Sequence, residues 1–130
     1  MRRLVAALLL LWTATGYAAA PTAAKVDWQP WSDGVFERAA RENRFVLLDL
    51  EAVWCHWCHV MDEVTYSDPK VVALIKSRYI PVRVDQDARP DISRRYENYG
   101  WPATVVFNAE GGEIVKRRGY LPPPGMISLL

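Results

Sequence analysis

Cysteine is scarce in this 130-residue chain: there are two, Cys55 and Cys58. Two cysteines three positions apart cannot staple distant parts of a fold, so a disulfide framework is excluded. Histidine is equally scarce. His56 and His59 flank the same short segment and leave no distant imidazole to complete a metal site. The formal net charge of +1 lacks the basic excess that nucleic acid or an acidic surface would call for. The apolar run from Leu4 to Trp12 is too short to span a bilayer comfortably. Asp85, Asp87 and Asp91 lack the turn glycine and closing glutamate of a calcium loop. There is no internal repeat and no low-complexity stretch.

What is there begins with an export pattern. Arg2 and Arg3 precede the apolar run, and small residues follow at Gly16, Ala18, Ala19 and Ala20. Residues 1–20 read as a signal peptide, cut after Ala18 or as late as Ala24. The remainder, 25–130, is one domain destined for the periplasm or the outside, or tethered to the membrane if the leader stays uncut. Such a compartment permits a disulfide.

The domain's pattern alternates helices and strands. Ser32 or Asp33 caps a helix over 34–43. Phe45 to Leu50 is a nearly continuous apolar run, the mark of a central strand. A helix carrying Cys55 and Cys58 follows and ends near Tyr66. Ser67-Asp68-Pro69 stops the chain and restarts it as a helix. Ile80 to Asp85 is a second core strand, with Val82 and Val84 alternating with Pro81 and Arg83. Asp91 to Tyr99 reads as a short helix ended by Gly100. Ala103 to Phe107 and Glu113 to Arg118 form a hairpin around Gly111-Gly112. Pro122, Pro123 and Pro124 break the chain. Met126 to Leu130 then reads as the first turn or two of a truncated helix, as in a fragment of a longer protein. This order gives an α/β domain with helices on both faces of a mixed sheet.

Cys55-His56-Trp57-Cys58 is the chemical centre. A C-x-x-C pair after a strand and at the start of a helix closes and reopens a small disulfide ring. Unpaired N–H groups of the first turn favour a thiolate at Cys55. Cys55 is thus the expected nucleophile and Cys58 the resolving thiol. His56, as an imidazolium, would stabilise the Cys55 thiolate. Two other chemistries share these residues. Cys55, Cys58 and His59 fall at i, i+3 and i+4 and could hold copper or zinc. Cys55 to His59 also spells C-x-x-C-H, the c-type haem attachment signature, although cytochromes of this size are mostly helical.

Four segments resemble thioredoxin-fold proteins over 25–130. They are Leu48 to Cys55 with Trp54 directly before the first Cys, Val84-Asp85-Gln86-Asp87 with Pro90, Trp101-Pro102 before a strand, and the Gly111-Gly112 hairpin. Within that fold, the segment Trp54 to Met61, Arg89-Pro90-Asp91 and Gly100-Trp101-Pro102 are similar to the thioredoxin-like domain of the YyaL and spermatogenesis-associated type. The resemblance implies a thiol–disulfide oxidoreductase with no cofactor and no metal, acting on protein thiols and disulfides with a redox partner that the sequence does not name. It implies a cis peptide before Pro102, with Trp57 and Trp101 walling a substrate groove and Trp54 tuning the redox centre. It also implies a proton relay at Asp49, six positions before Cys55, with Glu51 as rival. Asp49, Glu51, Asp62 and Glu63 are expected to crowd the motif with negative charge. The histidine that precedes the second Cys in oxidising relatives is replaced by Trp57, and no room is left for their inserted helical domain. Both features lean towards reduction or exchange.

Overall fold

The computed structural model describes residues 23–130; the expected leader lies outside them. Helix α1 (Asp33–Glu42) leads into strand β1 (Phe45–Glu51). Helices α2 (His56–Val64) and α3 (Pro69–Arg78) carry the chain back to β2 (Tyr79–Asp85). A single turn, α4 (Pro90–Ser93), runs into a 3-10 segment (Arg94–Tyr99), then β3 (Ala103–Phe107), β4 (Glu113–Arg118) and α5 (Pro123–Leu129).

The four strands lie in the order β2-β1-β3-β4. β1 pairs parallel with β2 and antiparallel with β3, and β3 pairs antiparallel with β4. This is the expected mixed α/β sheet. Val46, Leu48 and Leu50 of β1 meet α1 and the α4 segment on one face. Leu47 meets Met61 of α2, Val71 and Ile75 of α3, and Met126 of α5 on the other. With both faces covered, β1 reads as an apolar run rather than an alternation.

Local chemistry sets the boundaries. α1 ends where Asn43 adopts a left-handed conformation (φ 52°, ψ 53°). α2 stops at Val64, two residues short of expectation, because the N–H groups of both Thr65 and Tyr66 turn back to the Met61 carbonyl, each at 2.9 Å. α3 is capped by Asp68, whose Oδ1 accepts from the N–H groups of Lys70 and Val71 at 2.9 and 3.1 Å. Two expectations need correction. The helix expected over Asp91–Tyr99 is one α turn followed by a tighter 3-10 segment. The three prolines do not simply break the chain. Pro123 starts α5, because a first-turn residue needs no N–H donor.

The topology delivers three segments to one end of the sheet: the turn from β1 into α2, the end of β2, and the loop before β3.

Candidate functional site

Cys55 is the N-cap residue of α2, with extended backbone (φ −83°, ψ 109°). Its Sγ accepts from the N–H of Cys58 at 3.2 Å. The two sulfurs are joined in a disulfide whose Cα atoms lie 5.3 Å apart. Both residues are buried, at 6% and 4% exposure, so burial does not distinguish an outer sulfur from an inner one. Their difference lies in the cap: Cys55 receives the helix N–H, and Cys58 supplies it.

The turn ahead of the pair is tied to the end of β2. Asp85 Oδ2 accepts from the Val53 N–H at 3.1 Å, and Asp87 Oδ2 accepts from the Trp54 indole N–H at 3.2 Å. Trp54 is exposed and meets Trp101 edge-on, ring centres 5.9 Å apart. Trp101 packs against Ala52, Cys55 and Cys58, and its bond to Pro102 is cis. Trp57 is exposed, with His56 edge-on on one side and Tyr120 tilted against it at 5.5 Å. His59 turns away: its Nε2 lies 2.8 Å from the Val53 carbonyl oxygen. The disulfide occupies both sulfurs, so Cys55, Cys58 and His59 do not converge as a ligand set in this state.

Beneath this surface lies a polar cluster that sequence reasoning did not assemble. Asp49 is 2% exposed, and Arg83 stands beside it on β2, in register across the parallel pair. Arg83 Nε donates to Asp49 Oδ2 at 2.9 Å and lies 3.5 Å from Glu51 Oε2. The Arg83 guanidinium also binds the Asp62 carboxylate and rests on the Trp28 ring, 4.2 Å from its centre. Asp62 is one turn beyond Cys58, so the two share a face of α2. The cluster therefore reaches α2 one turn beyond Cys58. The expected crowd of negative charge is a set of carboxylates gathered around one cation. Glu63 is exposed and has no part in it. The available signal was a lone arginine in the middle of a core strand.

Burial dominates the electrostatics. Asp49 rises from 3.8 to about 7, pushed up by burial and only partly held down by Arg83. Glu51 is also raised, first by burial. Burial pulls Arg83 down, but Asp49, Glu51 and Asp62 overcome it and leave Arg83 raised.

The Asp49 shift makes stability depend on pH. Between 3.8 and about 7 the folded chain holds a proton on Asp49 that the unfolded chain has lost. The stability attached to this proton is complete below the lower value and fades as pH rises through the upper one. Asp49→Asn cannot ionise. Its melting temperature relative to the native chain should climb across that window, and melts from pH 4.5 to 8 measure it. A constant offset would contradict the assignment.

Residues 9–129 match the family described as Thioredox_DsbH, protein of unknown function, DUF255. The chain belongs to this family. Human spermatogenesis-associated protein 20 is 33% identical over 88 residues, covering 62% of this chain and 11% of that protein. The thiol:disulfide interchange protein DsbD of Ralstonia nicotianae is 32% identical over 84 residues, covering 62% of this chain and 14% of that protein. The chain thus spans a small fraction of the relatives it matches. A thioredoxin from Thermus thermophilus superposes with a TM-score of 0.71 at 23% identity, over 82% of this chain and 85% of that one. That likeness establishes the thioredoxin-like fold. This member of the DsbH/DUF255 family carries a C-x-x-C pair joined as a disulfide at the N-terminus of α2. The haem reading called for a mostly helical chain, and the C-x-x-C-H here instead joins a buried sheet strand to α2.

Proposed function

We propose that this chain is an exported thiol–disulfide oxidoreductase that reduces or exchanges disulfides in protein substrates. The observation that carries the reading is the Cys55–Cys58 bridge at the α2 N-cap, with a buried carboxyl poised near neutrality on β1, the strand that leads into it. Cys55 attacks the substrate disulfide. Cys58 then resolves the mixed disulfide after giving its proton to Asp49. His56 and Trp54 tune the centre. Trp57, Trp101 and Pro102 wall the groove, and Tyr120 extends it by stacking on Trp57. The similarity to the thiol:disulfide interchange protein supports protein thiols as substrates and a redox partner of similar chemistry. The charged n-region and short apolar run of residues 1–20 support export to the periplasm or beyond, with a membrane tether if the leader is uncut.

The direction rests on opposing effects. The helix N-terminus stabilises the Cys55 thiolate and makes the disulfide more oxidising. Arg83 offsets much of the carboxylate charge that would work the other way. Two features favour reduction or exchange. Trp57 occupies the position before Cys58, and the connection from β2 to β3 holds only α4 and a 3-10 segment. Equilibration with glutathione should give a potential of about −200 to −270 mV. A value close to −120 mV, that of a strong oxidant, would overturn the direction and leave the exchange chemistry standing.

A further inference from the structure

Two buried hydroxyls beside Asp49 have no role in the chemistry so far. Thr104 is the register partner of Asp49 across β1 and β3, so both side chains leave the sheet on one face with Cβ atoms about 5 Å apart. Thr104 is fully buried, and its Oγ1 has no hydrogen-bond partner among the described residues. Tyr66 is 5% exposed, and its buried hydroxyl also has none. The Tyr66 ring is fixed edge-on against Trp28 at 4.7 Å and lies 5.7 Å from the Arg83 guanidinium. Thr104 eases the Tyr66 phenol down against the stronger effect of burial, yet the two hydroxyls do not meet in hydrogen-bond geometry. Orphaned buried hydroxyls destabilise a fold, so two in one chamber call for a reason.

The chamber supplies one. Arg83 on β2 donates to Asp49 Oδ2. Glu51 on β1 and Asp62 on α2 bring only like charge. On the β3 side, Asp49 is paired in register with Thr104 and meets no cation among the described residues, and the Tyr66 ring lies 5.7 Å from the Arg83 guanidinium that holds Asp49. We propose that Tyr66 and Thr104 are positioning residues for Asp49, whose hydroxyls donate to its carboxylate when it ionises and so set the pH at which it accepts the Cys58 proton. The inference rests on the proposed exchange function. Burial first, and then the Asp49 charge, push the Tyr66 phenol well above its ordinary range, which is consistent with close coupling of the two groups.

The step balances. Cys58–SH gives its proton to the Asp49 carboxylate, leaving Cys58–S⁻ and a neutral carboxyl. Cys58–S⁻ attacks the Cys55–substrate disulfide, that S–S bond breaks, and the Cys55–Cys58 bond forms. The substrate leaves as a thiolate. The hydroxyls matter to the first event, because they stabilise the acceptor's charged form.

The test uses Tyr66→Phe, Thr104→Val and their double variant, each close in shape to the native residue. The readout is the pH dependence of insulin disulfide reduction with a regenerating dithiol, with melting temperatures measured alongside. Loss of a donor disfavours the ionised carboxylate, so the midpoint should move up, by about one pH unit in the double variant. Melting temperatures should hold or rise, because orphaned hydroxyls have been removed. Thr104→Ser restores a hydroxyl and should restore the native midpoint. Native midpoints in Tyr66→Phe and Thr104→Val would overturn the proposal. So would slower rates accompanied by lower melting temperatures with no shift in midpoint, which indicate a packing role. A native protein no faster than Cys55→Ser would overturn the exchange function itself, and this inference with it.

Discussion

Cys58→Ser should accumulate mixed disulfides with substrate proteins, and Cys55→Ser should accumulate at most about a tenth as much. The asymmetry follows from the N-cap. Cys55 Sγ sits at the positive end of α2 and accepts the Cys58 N–H at 3.2 Å. A hydrogen bond to a charged group and the helix terminus together contribute about 2–3 kcal/mol to its thiolate. Tenfold needs only about 1.4 kcal/mol, so the margin is ample. Cys58 Sγ has no such donor among the described residues. Reductant-sensitive, high-mass species on non-reducing gels are the measurement. Equal trapping by the two variants would remove the assigned roles of nucleophile and resolving thiol.

Arg83→Met should destabilise the protein by about 3 kcal/mol at pH 8, and by clearly less at pH 5. Arg83 is the cation shared by Asp49, Glu51 and Asp62. Without it, the ionised Asp49 is a buried charge with no cation beside it, and its carboxyl rises further above 7. The folded variant then holds its proton to higher pH than the unfolded chain does, so its stability falls as pH increases. At pH 5 Asp49 is already protonated, and much of the loss disappears. Adding Asp49→Asn to Arg83→Met should recover part of the deficit at pH 8, which a double-mutant cycle by chemical denaturation resolves. A deficit equal at both pH values would mean that Arg83 acts through its packing on Trp28 rather than through charge.

The legible part of this protein was the part written locally. Cys55 and Cys58 advertise themselves by spacing, β1 by its unbroken apolar run, and Pro102 by its place between a helix end and a strand. The polar cluster was not legible, because it depends on register. Arg83 meets Asp49 only because a parallel pairing across 34 residues sets Asp49 opposite Arg83. A slip of one residue would send the arginine to the other face of the sheet. Four carboxylates near one motif therefore read as uncompensated charge until the strands were aligned. Tyr66 and Thr104 were silent for the same reason. A tyrosine past a helix end and a threonine in an apolar strand carry no signal until strand pairing sets Thr104 opposite Asp49 and the fold brings Tyr66 to Arg83. The stacking of Tyr120 on Trp57 joins the end of the hairpin to α2 and is equally invisible in the linear pattern.

The sheet's outer margin has a consequence of its own. β4 is an edge strand, almost wholly exposed, with an unpaired row of backbone donors and acceptors. Such an edge invites another chain to add a strand. Here it carries Glu113, Lys116, Arg117 and Arg118 in six residues, and Lys116 is held by Glu113 at 2.9 Å. The opposite edge is covered over part of its length, where Gln29 bridges to β2. The charge on β4 thus serves the solubility of the population rather than the stability of the molecule. An approaching copy would meet the like charges of Lys116, Arg117 and Arg118 before its backbone could form a ladder, which disfavours edge-to-edge pairing.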